Sequence, residues 1–171
     1  VIAPSNDYFY SGKGKQNFTL NNDSNNSTST INITGNTTKK RIFSVDNLNT
    51  VTITDTASNY SIFGSYADIN FGTPNNRIGS LIINSDKSGI YLKDSSSLDI
   101  FANNTLKINA GNSETATNGI AVRATSGSKI NLDIKDNITL NAHGSALYAS
   151  GTNNSDKSKI TVKTDTLAIN N

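Results

Sequence analysis

Leu106-Lys107-Ile108-Asn109 and Ile138-Thr139-Leu140-Asn141 are two copies of one four-residue pattern, and its recurrence decides the fold. The pattern also stands at Phe18-Thr19-Leu20-Asn21, Val51-Thr52-Ile53-Thr54, Leu81-Ile82-Ile83-Asn84 and Leu167-Ala168-Ile169-Asn170. Successive copies are spaced at a loose period of about thirty residues, the signature of a repeat architecture. The first and third residues of each copy are aliphatic or Phe. Side chains alternate across a strand, so both point one way and the second residue points the other. Each copy is therefore a strand with one buried face.

Two further series flank the first. Ile42-Phe43-Ser44-Val45, Leu98-Asp99-Ile100, Ile130-Asn131-Leu132-Asp133-Ile134 and Ile160-Thr161-Val162 precede a copy by about eight residues. In the coil that leads to Leu81, either Ile69-Asn70-Phe71 or the stretch from Ile78 fills this place. Tyr60-Ser61-Ile62-Phe63, Gly89-Ile90-Tyr91-Leu92, Gly119-Ile120-Ala121-Val122 and Ser145-Ala146-Leu147-Tyr148 follow a copy, and Ile31-Asn32-Ile33 begins this series. Turns rich in Asn, Gly, Ser and Asp separate the strands. No segment carries a capped helical stripe, so crossover helices cannot cover a flat parallel sheet. The expectation is all-β: a right-handed parallel β-helix with three strands per coil of about thirty residues, its hand taken from the bias of parallel β connections. Stacking is what dries the core, because one coil is too thin to bury its own aliphatic side chains, whereas Leu81 over Leu106 over Ile138 makes a continuous column. The asparagines that close the first series predict a structural ladder at a corner, in the left-handed conformation that Asn tolerates.

Composition agrees with a thin, repetitive core. The chain has 171 residues, 34% of them hydrophobic and 16% charged, and a net charge of +2. That charge is too mild and too dispersed for a nucleic-acid face. Lys39-Lys40-Arg41 is the one basic run and reads as a solvated turn before a strand. No apolar stretch is long enough to span a bilayer, and no membrane contact is expected of this segment. Cysteine is absent, which removes disulfides and thiolate metal sites and suits a chain exported unfolded. The reading is one β-helix domain over residues 1–171, with residues 1–16 as an N-terminal cap. Its C-terminal end reads as an open edge of a longer protein. Loops are expected to protrude at 21–30, 64–77, 110–118 and 149–158.

Parallel β-helices often process polysaccharides, so paired carboxylates are the first chemistry to seek. Acidic residues are isolated along this sequence, and only Asp99 and Asp133, on the outer face of the same sheet, form a candidate pair. His143, the sole histidine, lies in the corner Asn141-Ala142-His143-Gly144 and reads as an exposed turn residue. Ser11-Gly12-Lys13-Gly14-Lys15 lacks the spacing and helix of a phosphate loop. No catalytic residue, metal site or cofactor is assigned. The binding candidates are aromatic: Tyr60, Phe63, Tyr66, Tyr91 and Tyr148 fall in or near the third series, where outward rings can stack on sugars or a protein partner.

With this coil pattern, the chain resembles the passenger domains of Gram-negative autotransporters, particularly the self-associating and adhesin type. The resemblance rests on Asn118-Gly119-Ile120-Ala121-Val122, Ser128-Lys129-Ile130-Asn131-Leu132-Asp133-Ile134 and Asn137-Ile138-Thr139-Leu140-Asn141. It implies export to the bacterial cell surface and a role in adhesion, aggregation or biofilm formation. The implied partners are another copy of the chain, or a protein or glycan of a host or bacterial surface. The family has no universal catalytic motif, so the resemblance gives no residue a catalytic role. A polysaccharide lyase or hydrolase and a phage-type tail fibre are the alternative readings of the same fold.

Overall fold

A computed structural model describes residues 1–14, 16–23, 28–111, 119–151 and 155–171. The described residues form an all-β parallel solenoid of about five turns, roughly thirty residues each, without a helix. The first turn holds β1 (Tyr8–Ser11), β2 (Phe18–Asn22) and β3 (Ile31–Thr34). The second holds β4 (Arg41–Asp46), β5 (Thr50–Asp55) and β6 (Tyr60–Ser65). The third holds β7 (Ala67–Phe71), β8 (Ile78–Ser85) and β9 (Ser88–Lys93), and the fourth holds β10 (Ser97–Ala110) and β11 (Val122–Thr125). The fifth holds β12 (Lys129–Ile134), β13 (Asn137–Ala142) and β14 (Leu147–Ser150), after which β15 (Lys159–Lys163) and β16 (Thr166–Asn170) begin a sixth. Each strand pairs in parallel with its counterpart one turn away, so backbone hydrogen bonds run along the axis. β10 is long enough to serve two strand columns and joins them into one sheet, and its register against β8 shifts between Ala102 and Thr105.

Register turns the repeat into columns of side chains. Phe18, Val51, Leu81, Leu106, Ile138 and Leu167 stack coil upon coil. Leu20, Ile53, Ile83, Ile108, Leu140 and Ile169 form a second column beside them. The four middle members of each are fully buried, so the recurrent aliphatics are the core. At the N-terminal end Tyr8 stacks on Phe43, with centroids 5.2 Å apart and planes 8° from parallel, and Phe43 meets Phe71 at 5.6 Å. Gly64 occupies an inward position where a Cβ would come within 2.7 Å of the Leu92 side chain, so Leu92 fills the space that the glycine leaves.

Three local readings change. Ile69-Asn70-Phe71 takes the ambiguous place before Leu81, because β7 pairs Ile69 with Leu98 and Phe71 with Ile100. The span 64–77, expected as a protruding loop, thus contains a core strand, and only residues 72–77 leave the coil. In the fourth turn Val122, not Ile120, aligns with Ile90. That shift of two residues preserves the inward face and buries Val122 and Ala124. Of the loop expected at 110–118, residues 112–118, with Glu114 and Asn118, lie outside the described residues, as do 152–154 of the loop expected at 149–158, 24–27 of that expected at 21–30, and Lys15. The ends of these spans are strand, with Asn21 and Asn22 in β2, Ala110 in β10, and Ala149 and Ser150 in β14. In the N-terminal segment β1 pairs with β4 and Ile2 bridges to Ile31, so strand pairing begins well before residue 16.

The asparagine ladder is present, but in an extended conformation rather than at a left-handed corner. Asn109 donates to Asn84 Oδ1 at 2.7 Å, Asn141 to Asn109 at 2.6 Å and Asn170 to Asn141 at 2.7 Å. These amides stand on the outer face of the strands. Among the described residues the left-handed positions are instead Asn47, Tyr66, Asp94, Ser95 and Ser126, with Gly14, Gly72, Gly111 and Gly127. Asn141→Ala removes both a donor and an acceptor from a partly solvated ladder. It is expected to cost about 1 kcal/mol in chemical denaturation, against a negligible change for Thr139→Ala on the same face.

Candidate functional site

The sheet of β3, β6, β9, β11 and β14 carries the third series, and its outward positions are set by register alone. Asn32, Phe63, Tyr91, Arg123 and Tyr148 occupy one position in five consecutive coils. Because side chains alternate across each strand, the aliphatics on either side of this position point inward and these five point out. Tyr60 joins the column from the start of β6, its ring 4.8 Å from that of Tyr91 and 6.4 Å from that of Phe63. Phe63 and Tyr91 meet edge to face at 5.7 Å. The result is a continuous aromatic ladder parallel to the axis.

A cation is built into it. The guanidinium of Arg123 lies over the Tyr91 ring at 4.6 Å and over the Tyr148 ring at 5.3 Å. Such contacts contribute about 0.5–2 kcal/mol each, depending on solvent access. Tyr91 is fixed further by the Thr125 hydroxyl, which donates to its phenol oxygen at 3.3 Å. At the other end Lys93 Nζ stands 6.0 Å from the Phe63 ring centre and pairs with Asp94 at 3.2 Å. Asp94 also accepts from the Ser65 hydroxyl at 2.7 Å, so that carboxylate is occupied within its own corner.

The adjoining sheet bears a shallow recess of about 360 Å³ lined by Ser97, Asp99, Lys129, Asn131, Lys159 and Thr161. Two registered columns make it, Ser97–Lys129–Lys159 and Asp99–Asn131–Thr161. Its neighbour is a clamp: Arg77 crosses over Phe101, 5.4 Å from the ring centre, and reaches Asp133 two turns onward at 2.8 Å. The same guanidinium donates to the carbonyls of Ala102 and Asp133.

No family model, curated protein or solved structure matches the chain. What the site can do therefore rests on its geometry. Of the five aromatic residues singled out from the sequence, Tyr60, Phe63, Tyr91 and Tyr148 come together. Tyr66 does not: it turns the corner between β6 and β7 at φ 47°, and its carbonyl accepts from Arg41 N. The carboxylates Asp99 and Asp133 share an outer face but not a position. Asp99 aligns with Asn131 and accepts from its amide at 3.1 Å, whereas Asp133 aligns with Phe101 and is held by Arg77 and Lys163. They do not form the candidate pair, because a two-residue offset along the strand gives each its own partners. His143 is exposed in its turn and its N–H donates to the Ala110 carbonyl. Among the described residues no three His, Cys, Asp or Glu side chains gather as a metal-binding group. Sequence reasoning missed Arg123. The signal was its place after Val122, once Val122 rather than Ile120 is aligned with Ile90.

Proposed function

We propose that this solenoid is a segment of a bacterial surface adhesin of the autotransporter passenger kind, with the aromatic ladder as its contact surface. The single observation that supports the reading is the ladder itself. Four aromatic rings and a guanidinium stand in one column on the outside of a rigid rod, where the core gains nothing from them. Aromatic faces and arginine supply large contact area at low entropic cost, and they dominate the energetics of recognition surfaces. A solenoid presents them in fixed spacing, so weak contacts add through multivalency when many copies stand on one surface. The extended polar faces keep the rest of the rod hydrated.

Beads coated with the chain test this reading. They are expected to clump with each other or to attach to bacterial or host cells, and Tyr91→Ala with Tyr148→Ala is expected to lower attachment about tenfold while the chain keeps its β circular dichroism spectrum and loses only the few degrees of melting temperature that the ring contacts supply. Beads that stay dispersed and attach to no cell surface would overturn it. So would release of new reducing ends or unsaturated sugars from a polysaccharide panel, which belongs to a glycan-cleaving β-helix, and a stable trimer in solution, which belongs to a tail fibre.

A further inference from the structure

We propose that Arg123, with Tyr91 and Tyr148 on either side, is a socket for the carboxylate of a hexuronic acid in a linear acidic polysaccharide lying along the solenoid axis. The inference rests on the ladder being the contact surface and names what it contacts. Its starting point is an imbalance. Arg123 carries five N–H donors, yet its side chain makes no hydrogen bond or ion pair among the described residues, and its Nε is buried without a partner. An arginine in such a position costs free energy that the two ring contacts offset only in part. The rings also do something that packing alone does not require. They hold the guanidinium between them, and its terminal N–H groups, bonded to nothing among the described residues, are the fork that receives a carboxylate through two parallel N–H···O bonds.

Charge on this face points the same way. Asp94, in the corner after β9, is engaged by Lys93 and by the Ser65 hydroxyl, and among the described residues no carboxylate forms an ion pair with Arg123. The guanidinium is thus left for an anionic group from outside. The ladder continues past the socket to Tyr60 and Phe63, with neighbouring coils about 4.8 Å apart, close to the repeat of a linear pyranose chain. Sugar rings laid along the column meet Tyr148, the Arg123 socket, Tyr91 and the Tyr60–Phe63 pair in four consecutive coils, with their hydroxyls in water. A lone aspartate on a protein partner would use the fork and leave that platform bare, so the geometry favours the sugar chain.

The test compares a tetrasaccharide of galacturonic acid with its methyl ester, which keeps the rings and masks the carboxylates, by titration calorimetry on the intact chain. The acid is expected to bind about tenfold more tightly than the ester. Arg123→Gln is expected to bring the acid down to the level of the ester, and Arg123→Lys, which keeps charge but lacks the fork, to recover only part of the difference. A purely structural arginine would shift the melting temperature in both variants and leave the acid-to-ester ratio unchanged. Equal affinity for acid and ester in the unaltered chain overturns the inference. If beads clump or attach while neither saccharide binds, the socket fails and the adhesin reading stands; if neither occurs, both fall.

Discussion

Leu106→Ala is expected to destabilise the solenoid by about 3 kcal/mol, with Lys107→Ala, one residue along and facing solvent, changing stability by less than about 0.5 kcal/mol. Leu106 has no exposed surface and sits between Leu81 and Ile138 in the column that runs through all the turns. Its neighbours above and below are held by hydrogen-bonded strands and cannot collapse into the space, so the cavity persists and its cost adds to the lost transfer energy. The position matters beyond its own contacts. β10 is the longest strand and contributes to both sheet columns, and in a solenoid each turn is stabilised by its immediate neighbours. A weakened fourth turn therefore uncouples the turns before it from those after it. Guanidinium denaturation followed by circular dichroism measures the effect, and a broadened or biphasic transition in Leu106→Ala is the expected form. A loss below about 1 kcal/mol, or equal losses in both variants, would contradict the stacked-column account.

The same columns show which features a sequence of this kind declares and which it hides. Period-two alternation and the recurrence near thirty residues reveal the strands, because a residue's inward or outward sense is fixed by its neighbours on the same strand. Which coil position a strand takes depends on loop lengths, and there the sequence is less explicit. Gly119-Ile120-Ala121-Val122 looks like Gly89-Ile90-Tyr91-Leu92, yet the backbone of Gly89 and Ile90 donates to Ile120 and Ala121, which places Val122 beside Ile90. The aromatic ladder was legible as a set of candidates but not as a column, since Arg123 enters it only through that register. Asp99 and Asp133 failed as a pair for the same reason, a displacement of two residues between adjacent coils. Tyr66 failed for another: a positive φ is invisible in a Tyr, whereas a Gly or Asn would have announced the turn.

Corners carry a second code that hydrophobic patterning does not detect. Ser96 and Ser128 are buried at the turn that precedes the first strand of a coil. The Ser96 hydroxyl accepts from Ala67 N at 3.0 Å, the Ser128 hydroxyl accepts from Ser96 N at 3.1 Å, and the Ser158 hydroxyl accepts from Gly127 N at 3.1 Å. Each serine thus satisfies a backbone donor of the preceding turn that strand pairing leaves over. The matching signal is a Ser two residues before the inward aliphatic, at Ser96 before Leu98, Ser128 before Ile130 and Ser158 before Ile160. It shows only after the coils are aligned.

The other corner holds the one carboxylate among the described residues with no exposed surface, and its replacement is expected to be at least as costly as that of Leu106. Asp55 ends β5 with its side chain turned inward among Asn22, Thr30 and Ser58. Its Oδ2 accepts from the Ser58 hydroxyl at 2.5 Å, the Thr30 hydroxyl at 2.8 Å, Thr30 N at 3.1 Å and the Asn22 amide at 3.3 Å. Its Oδ1 accepts from Ser58 N at 2.8 Å and Ala57 N at 3.1 Å. Burial works against the charge. The hydrogen bonds from Ser58, Thr30 and Ala57 outweigh it and hold the carboxyl below the usual carboxylate range. Asp55→Ala strands several buried donors at once and is expected to cost about 4 kcal/mol. Asp55→Asn keeps the shape but turns an amide N–H₂ toward donors, and it exposes the charge dependence. A carboxyl whose folded value lies below its unfolded one adds stability that is complete above the unfolded value and fades as pH falls through the folded one. The melting temperature of the unaltered chain should therefore exceed that of Asp55→Asn by a constant margin from neutral pH down to about 5, and the margin should narrow below about pH 4. Parallel melting profiles from pH 7 to pH 2.5 would show that the ionised carboxylate does not hold this corner.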